Sequence, residues 1–262
     1  MRDPGCIVIT GASSGLGAAL ASAYARPGRT LALTGRDAAR LDAVAALCRG
    51  AGATVRTAIL SVTERDRLAE WLLEVDAAAP VDLVVANAGI SGGTGRMGEG
   101  AEQVRAILAT NVDGVVNTVM PLLPAMRLRR RGQIALMSSL AGFVGMPSAP
   151  AYCASKAAVR VWGEALRGEL ARDGIAVSVI CPGFVRTPMT EVNPFPMPFL
   201  MDADRAVRII VGELARNRAR IAFPWPTYAA VRLLGLLPPG WIARLMGVTP
   251  GKPAIAPADR PG

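Results

Sequence analysis

Residues 5–25 read GCIVITGASSGLGAALASAYA, and this stretch decides the fold. Residues 6–10 are short, apolar and β-branched, the pattern of a buried strand. Gly11, Gly15 and Gly17 follow at once, and the Ala- and Leu-rich sequence to about Ala25 reads as a helix. Strand, glycine turn and helix, in that order, form the context of a nucleotide-binding loop. The glycines let the backbone approach a pyrophosphate, whose charge rests on the unpaired N–H groups at the helix N-terminus.

Working outward, strands are expected near 6–10, 30–34, 54–59, 81–86, 133–138 and 175–180. Helices are expected near 15–26, 37–50, 64–78, 101–127 and 152–172. Alternating β and α predicts an α/β fold with a doubly wound parallel sheet and right-handed crossovers. Gly28, Gly52, Gly132 and Gly174 fall where helices should end. The expected organisation is one domain over 1–250, with a loop over 188–202, an apolar extension over 223–247 and a loose Pro-rich tail over 251–262. There is no internal repeat.

Farther along, AYCASKAAV sets Tyr152 and Lys156 four residues apart, and Ser139 lies thirteen residues before the tyrosine. Helix positions i and i+4 share a face, so the ammonium of Lys156 can sit below the phenol of Tyr152. A free tyrosine titrates at about 10. A neighbouring cation lowers that value, which brings proton transfer near neutral pH within reach. Alone, the Y-x-x-x-K spacing also describes a buried aromatic with an exposed lysine one turn on. Lysine is rare here: of 29 basic residues only Lys156 and Lys252 are lysines.

Together with the glycine loop, these residues resemble the short-chain dehydrogenase/reductase family. Thr10-Gly11-Ala12-Ser13-Ser14-Gly15-Leu16-Gly17 matches the family's T-G-x-x-x-G-x-G loop, and Asn87-Ala88-Gly89 its N-A-G turn after the fourth strand. Asn111 matches the helix asparagine, Ser139 the catalytic serine, and Tyr152 with Lys156 the Y-x-x-x-K pair. Pro182-Gly183 and Thr187 match the P-G-x-x-x-T segment. The resemblance spans about residues 6–190. It implies a Rossmann fold and reversible hydride transfer between a nicotinamide cofactor and a carbonyl or secondary alcohol. Tyr152 would be the proton donor and Ser139 the hydrogen-bond donor to the substrate oxygen. Lys156 would lower the phenol pKa and hold the nicotinamide ribose, and Asn111 would anchor a water linking Lys156 to solvent. Cofactor contacts are implied at Gly11, Ser13, Ser14, Gly15, Leu16, Gly17, Ser61, Val62, Asn87, Ala88, Gly89, Pro182, Gly183, Val185 and Thr187.

Cofactor choice turns on the end of the second strand, LALTGRDAARL. NAD enzymes place an acidic residue there for the ribose 2′-hydroxyl, and NADP enzymes favour a cation for the 2′-phosphate. Gly35 occupies the acidic position and Arg36 follows. An arginine fork suits phosphate, so NADP is the expected cofactor, with NAD as the alternative. Asp37 reads as a helix N-cap. Two positions depart from the family pattern. Ser61 stands where an aspartate usually meets the adenine, and Ala86 precedes Asn87 where the asparagine is usually doubled.

Composition narrows the rest. The chain of 262 residues has no histidine, which excludes a Ser-His-Asp hydrolase and a His-ligated zinc site. Cys6, Cys48, Cys153 and Cys181 have no metal-ligand spacing, so no metal site is expected; they read as reduced packing residues of a cytosolic protein. With a strand opening by residue 6, no signal peptide is expected. The net charge is +9. The run 127–131 reads as a solvated helix end facing the dipole, and nothing points to nucleic acid. The Met, Phe and Pro residues of the 188–202 loop suggest an apolar lid over an apolar substrate. The segment 228–246 reads either as a helix packed on the domain or a partner subunit, or as a peripheral contact with the inner face of a membrane. Small and apolar positions on the helix near 152–172, among them Ala154, Ala157, Ala158, Val161, Trp162 and Leu166, suggest a homodimer or homotetramer. Two rival functions share the fold. One is a non-catalytic dinucleotide-binding regulator. The other is a sugar-nucleotide epimerase or dehydratase, whose larger C-terminal domain the residues after 190 are too few to build.

Overall fold

The computed structural model describes residues 3–95, 98–246 and 252–254. Seven strands form one sheet in the order β3-β2-β1-β4-β5-β6-β7. They are β1 Cys6–Ile9, β2 Thr30–Gly35, β3 Thr54–Ile59, β4 Leu83–Ala86, β5 Gly132–Met137, β6 Ile175–Pro182 and β7 Arg220–Phe223. Every pairing is parallel. The helices are α1 Gly15–Tyr24, α2 Ala38–Gly50, α3 Arg65–Ala78, α4 Ala101–Leu108, α5 Gly114–Val119, α6 Leu123–Arg129, α7 Pro150–Leu170, α8 Pro188–Glu191, α9 Ala203–Ala215, α10 Trp225–Leu234 and α11 Pro239–Met246.

Both faces of the sheet are buried along its central strands, as a parallel sheet with helical crossovers requires, while the edge strand β3 is only partly covered. Successive residues of β1 go to opposite cores. Ile7 and Ile9 join Leu20, Leu41 and Ile210 on one side. Cys6 and Val8 join Leu68, Leu72, Val159 and Leu166 on the other. The strand order reverses between β1 and β4, so the carboxyl ends of those strands open a crevice where ligands of such sheets bind.

The structure refines or corrects the sequence reading in four places. A seventh strand extends the sheet. It is only four residues long and opens on Arg220, whose guanidinium is held by Glu164 and the Tyr228 hydroxyl, so it gives little apolar signal. The helix expected over 101–127 is present over Ala101–Arg129 but distorted within. A π-turn over Ala109–Asp113 separates α4 from α5, and Pro124, near the N-terminus of α6, restarts the helix where it gives up no hydrogen bond. The arginine run closes α6 and stays largely exposed, as expected, but it is also paired. Arg127 pairs with Glu169 and Asp173, Arg129 grips Asp76 with two bonds of 2.7 and 2.8 Å, and Arg131 pairs with Asp82. The run therefore ties the start of β5 to α3, to the chain before β4 and to the end of α7. On α7, Leu166 is buried in the protein's own core and Trp162 packs against it, while Ala154, Ala158 and Val161 stay exposed.

Two other expectations are met in detail. Asp37 caps α2, accepting a bond from the Arg40 N–H at 2.9 Å. The four cysteines are free and buried, and burial pushes the thiols of Cys6 and Cys181 up to about 12.

Of the tail over 251–262, the described residues are 252–254, and they are docked. Gly93 donates to the Pro253 carbonyl at 3.0 Å and Gly95 to the Lys252 carbonyl at 3.1 Å. The Lys252 ammonium donates to the Met189 carbonyl in α8 at 3.0 Å. A short piece of chain from beyond α11 thus joins the loop after β4 to the loop after β6.

Candidate active site

The glycine loop is shaped by contacts that tolerate no side chain. Gly11 has φ of 66°, and a Cβ there would come within 2.8 Å of the Ala88 backbone. A Cβ at Gly17 would fall 2.2 Å from the Gly11 carbonyl oxygen and 2.6 Å from the Asn87 amide nitrogen. That amide donates to the Thr10 carbonyl at 2.9 Å and the Gly11 carbonyl at 3.2 Å. The Thr10 hydroxyl in turn accepts from the Asn87 and Ala88 N–H groups. The loop after β1 and the turn after β4 are therefore one unit. Ser14 is the N-cap of α1 and makes no side-chain capping bond, which leaves the first-turn N–H groups for an outside acceptor such as a phosphate. The cradle fits a dinucleotide.

At the edge of this cradle, a Cβ on Gly35 would press within 2.9 Å of the Ser13 side chain. No acid fits at the end of β2 without displacing the glycine loop. Arg36 follows, exposed. Ser61 is drawn into its own turn, its hydroxyl 2.7 Å from that of Thr63 and its N–H 2.6 Å from the Glu64 carboxylate. Val62 is buried, and its carbonyl accepts from Asn117 at 2.9 Å.

The catalytic candidates converge beside the cradle, past the ends of β4 and β5. Lys156 is 3 % exposed, and its ammonium lies 5.8 Å from the centre of the Tyr152 ring. It donates to the Met137 carbonyl at 2.9 Å. A Cβ on Gly89 would sit 3.2 Å from that ammonium and 3.1 Å from Asn111 Oδ1, so Gly89 keeps the approach to both open. Ser139 lies where β5 gives way to a 3-10 turn over Leu140–Phe143. Its hydroxyl accepts from the Ala141 N–H at 3.1 Å and hydrogen-bonds the Tyr152 phenol.

Asn111 sits in the π-turn, a distortion that often marks functional sites. Its Oδ1 accepts from the Ile90 N–H at 2.8 Å, and its Nδ2 donates to the Ile90 carbonyl at 2.9 Å and to Ser155 Oγ at 3.0 Å. Ser155 donates to the Tyr152 carbonyl at 2.8 Å. Asn111 thereby fixes both the turn after β4 and the first turns of α7. Sequence reading passed over Ser155; its signal was a hydroxyl one turn beyond the tyrosine on the helix that carries the motif.

The electrostatics differ from the expectation for Tyr152. Its phenol is not lowered but pushed up to about 12, because burial disfavours the phenolate. The Ser139 hydrogen bond pulls it partly back. The same burial pushes the Lys156 ammonium down to about 8. Desolvation is the largest cause of both shifts.

The segment after β6 completes the rim. Gly183 donates to the Phe223 carbonyl at 2.7 Å, which aligns Pro182–Gly183 with β7. Thr187 caps α8 in a reciprocal box with Thr190, and its methyl group would lie 3.3 Å from a Cβ on Gly15. Buried Val185 bridges to Met201, pinning the two ends of the loop between them. Within the loop Phe184 meets Phe195 edge-on at 6.1 Å, while Val192 and Phe199 are exposed.

The model of the short chain dehydrogenase family matches residues 5–194. The chain belongs to the short-chain dehydrogenase/reductase family. An uncharacterized oxidoreductase of Myxococcus xanthus is 42% identical over 232 residues, which cover 88% of this chain and 92% of that protein. Among solved structures, a short-chain dehydrogenase from Sphingobium yanoikuyae in complex with NADPH is 27% identical with a TM-score of 0.77. It covers 96% of this chain and 98% of its own. A short-chain dehydrogenase/reductase from Burkholderia phymatum in complex with NAD is 25% identical with a TM-score of 0.82, covering 98% and 100%. The protein is thus an oxidoreductase with the fold of enzymes that bind nicotinamide dinucleotides, and its own cradle has the shape for one.

Proposed function

We propose that this dehydrogenase/reductase is a cytoplasmic, NADP-preferring enzyme that interconverts an apolar ketone and its secondary alcohol, working as a homodimer or homotetramer. The observation that carries the reading is the meeting of Ser139, Tyr152 and Lys156 beside the glycine cradle. When bound, the reduced cofactor supplies the hydride for the carbonyl carbon. Tyr152 delivers its proton to the carbonyl oxygen, and Ser139 donates a hydrogen bond to the same atom, stabilising charge as it develops. A phenol pushed up to about 12 is protonated at neutral pH, the state a proton donor needs at rest. The Lys156 ammonium stabilises the phenolate left behind and takes the cofactor ribose. Asn111 and Ser155 are positioning residues, holding Ile90 and the start of α7. Gly11–Gly17, Asn87–Gly89, Pro182–Gly183, Val185 and Thr187 would hold the cofactor, with Ser61 and Val62 on the side of its adenine.

NADP is favoured because Gly35 leaves no room for an acid and Arg36 offers a guanidinium at the next position. The apolar faces of Met189, Val192 and Phe199 in the loop after β6 support an apolar substrate. The exposed Ala154, Ala158 and Val161 on α7, with Met120 nearby in sequence to α5, support a two-fold contact.

A panel of ketones and alcohols assayed with both cofactors at the nicotinamide absorbance tests the reaction. Turnover of apolar ketones with NADPH is expected; binding of a dinucleotide without turnover of any substrate would favour a regulator. Arg36→Ala should lower NADP affinity by tens of fold, the loss of a charge-assisted bond of roughly 1.5–3 kcal/mol, and leave NAD affinity nearly unchanged. Equal losses for both would remove Arg36 from cofactor choice. Light scattering that gives a monomer at micromolar concentration would reject the oligomer.

A further inference from the structure

The C-terminal helices carry a surface that the reaction does not use. From Leu214 to Ala258 the sequence contains no aspartate or glutamate, yet it carries Arg216, Arg218, Arg220, Arg232, Arg244 and Lys252. The first three reach back to acids of the domain, at Glu213 and Glu164. Among the described residues, Arg232 and Arg244 pair with no carboxylate, and both are exposed.

Around these two arginines the large apolar side chains face outward. Trp225 is 75%, Leu233 67%, Leu236 79%, Trp241 62% and Leu245 57% exposed. The pattern is helical: 225, 232–233 and 236 recur along one side of α10 and the turn that follows it, and 241 and 245 share a face of α11. The opposite side of α10 is anchored. Tyr228 and Val231 pack with Leu140 and Phe143, and the Tyr228 ring meets Phe143 edge-on at 5.5 Å. Arg220 holds the Tyr228 hydroxyl at 3.0 Å. One face of the helix is therefore fixed to the turn that begins at Ser139, while the other presents tryptophan, leucine and arginine to the outside.

We propose that α10 and α11 form a peripheral docking surface for an anionic lipid bilayer. Helices of ten and eight residues are too short to cross a membrane, which takes about 20 residues. They suit the interface, where apolar side chains sink below the headgroups, tryptophans settle at the boundary and arginines meet lipid phosphates. A second copy of the chain is the weaker occupant. A two-fold contact through this patch would gather four arginines, Arg232 and Arg244 of each copy, in one interface, with no acid in the stretch to neutralise them. Because α10 rests on the Leu140–Phe143 turn, docking would set the mouth of the site beside the bilayer. The docking itself does not depend on which substrate the enzyme uses.

The test is flotation of the full chain with vesicles of phosphatidylcholine alone and of phosphatidylcholine mixed with an equal part of phosphatidylglycerol. The wild-type protein should float with the anionic vesicles, be released by high salt and stay behind with the neutral ones. Arg232→Glu with Arg244→Glu should reduce the bound fraction at least tenfold, as should Trp225→Ser with Trp241→Ser. Dinucleotide binding by calorimetry shows that each variant is folded. Should a variant not fold, the lipid and salt dependence of the wild type and a blue shift of its tryptophan emission on anionic vesicles decide the question. Absence of flotation with anionic vesicles, or equal flotation of the wild type and both folded variants, overturns the proposal. So does a tryptophan variant that changes the mass by light scattering while floating like the wild type, which would make the patch a subunit contact.

Discussion

Lys156 and Lys252, the chain's two lysines, occupy regions built in contrasting ways. Each ammonium is buried, each donates to a main-chain carbonyl, Met137 for one and Met189 for the other, and burial pushes each down to about 8. Lys156 belongs to a 21-residue helix clamped on several sides. Its own carbonyl accepts from Ser138 at 2.7 Å, and a Cβ on Gly142 would fall 2.7 Å from its backbone. Lys252 belongs to a short docked segment held by a few bonds to two loops. The same buried charge is set by packing that cannot relax in the first region and by loop contacts that can part in the second. Damage to the first should therefore appear in the chemical step and in cofactor binding, and damage to the second in substrate binding.

The largest effect expected on the rigid side is that of Tyr152→Phe. Phenylalanine keeps the ring and its packing and removes the proton, so kcat should fall by about 10²–10⁴-fold with dinucleotide affinity preserved. A variant that keeps most of its kcat would show that the proton comes from elsewhere, and the rigid region would lose its special standing.

Lys156→Met comes next. Removing a charge-assisted bond to the cofactor should weaken dinucleotide binding by tens of fold, from roughly 1.5–3 kcal/mol. The pH dependence adds a signature. With the ammonium at about 8, an anionic dinucleotide bound beside it should raise that value, so binding above pH 8 takes up a proton. Calorimetry in buffers of different ionisation heat would detect the uptake in the wild type and its loss in the variant. Equal uptake in both would assign the proton to another group.

Lys252→Met tests the other side. Losing the bond to Met189 should free the start of the loop after β6 and raise KM about fivefold, an effect of ~1 kcal/mol, with kcat nearly unchanged. Should kcat fall as steeply as it does for Lys156→Met, the distinction between the two regions would fail.

The smallest effect is shared. Both folded-state values lie below the ordinary 10.5, so the unfolded chain binds more protons between about 8 and 10.5. The penalty for the buried ammoniums is fully present below about 8 and is relieved as pH rises through that window. The thiols of Cys6 and Cys181, raised from 9.0 to about 12, act in the opposite sense once pH exceeds 9. The Tm should therefore rise from pH 8 to 9, and the rise should vanish when both lysines are replaced by methionine. An undiminished rise in the double variant would place its source elsewhere.

The glycine cradle and the positions of Ser139, Tyr152 and Lys156 were legible because each depends on local spacing. Gly11, Gly15 and Gly17 follow a β-branched run, and a four-residue interval on a helix fixes a shared face. What was not legible depends on distant partners. The β7 strand is defined by register with β6, as in Val179 beside Arg220, and not by its own short sequence. The arginines at 127–131 are largely exposed, as read, but their pairing was hidden because Asp76, Asp82 and Glu169 are far away in the chain. The direction of the Tyr152 shift depends on how much of the fold closes over the ring, which spacing alone does not report. The tail read as loose because its prolines dominate the pattern, and nothing local shows that Lys252 has a specific acceptor in Met189.

The contact between Gly35 and Ser13 constrains how this scaffold could be re-engineered, or could drift, toward the other dinucleotide. An aspartate at 35, the obvious single change, would drive its Cβ into Ser13 and deform the glycine cradle, so it should weaken the binding of either dinucleotide. A viable route must first shrink the residue at 13, or act through position 36 alone. The NADP preference proposed above would thus be guarded by steric fit as well as by charge, and the path between the two cofactors would have a step that is neutral at best.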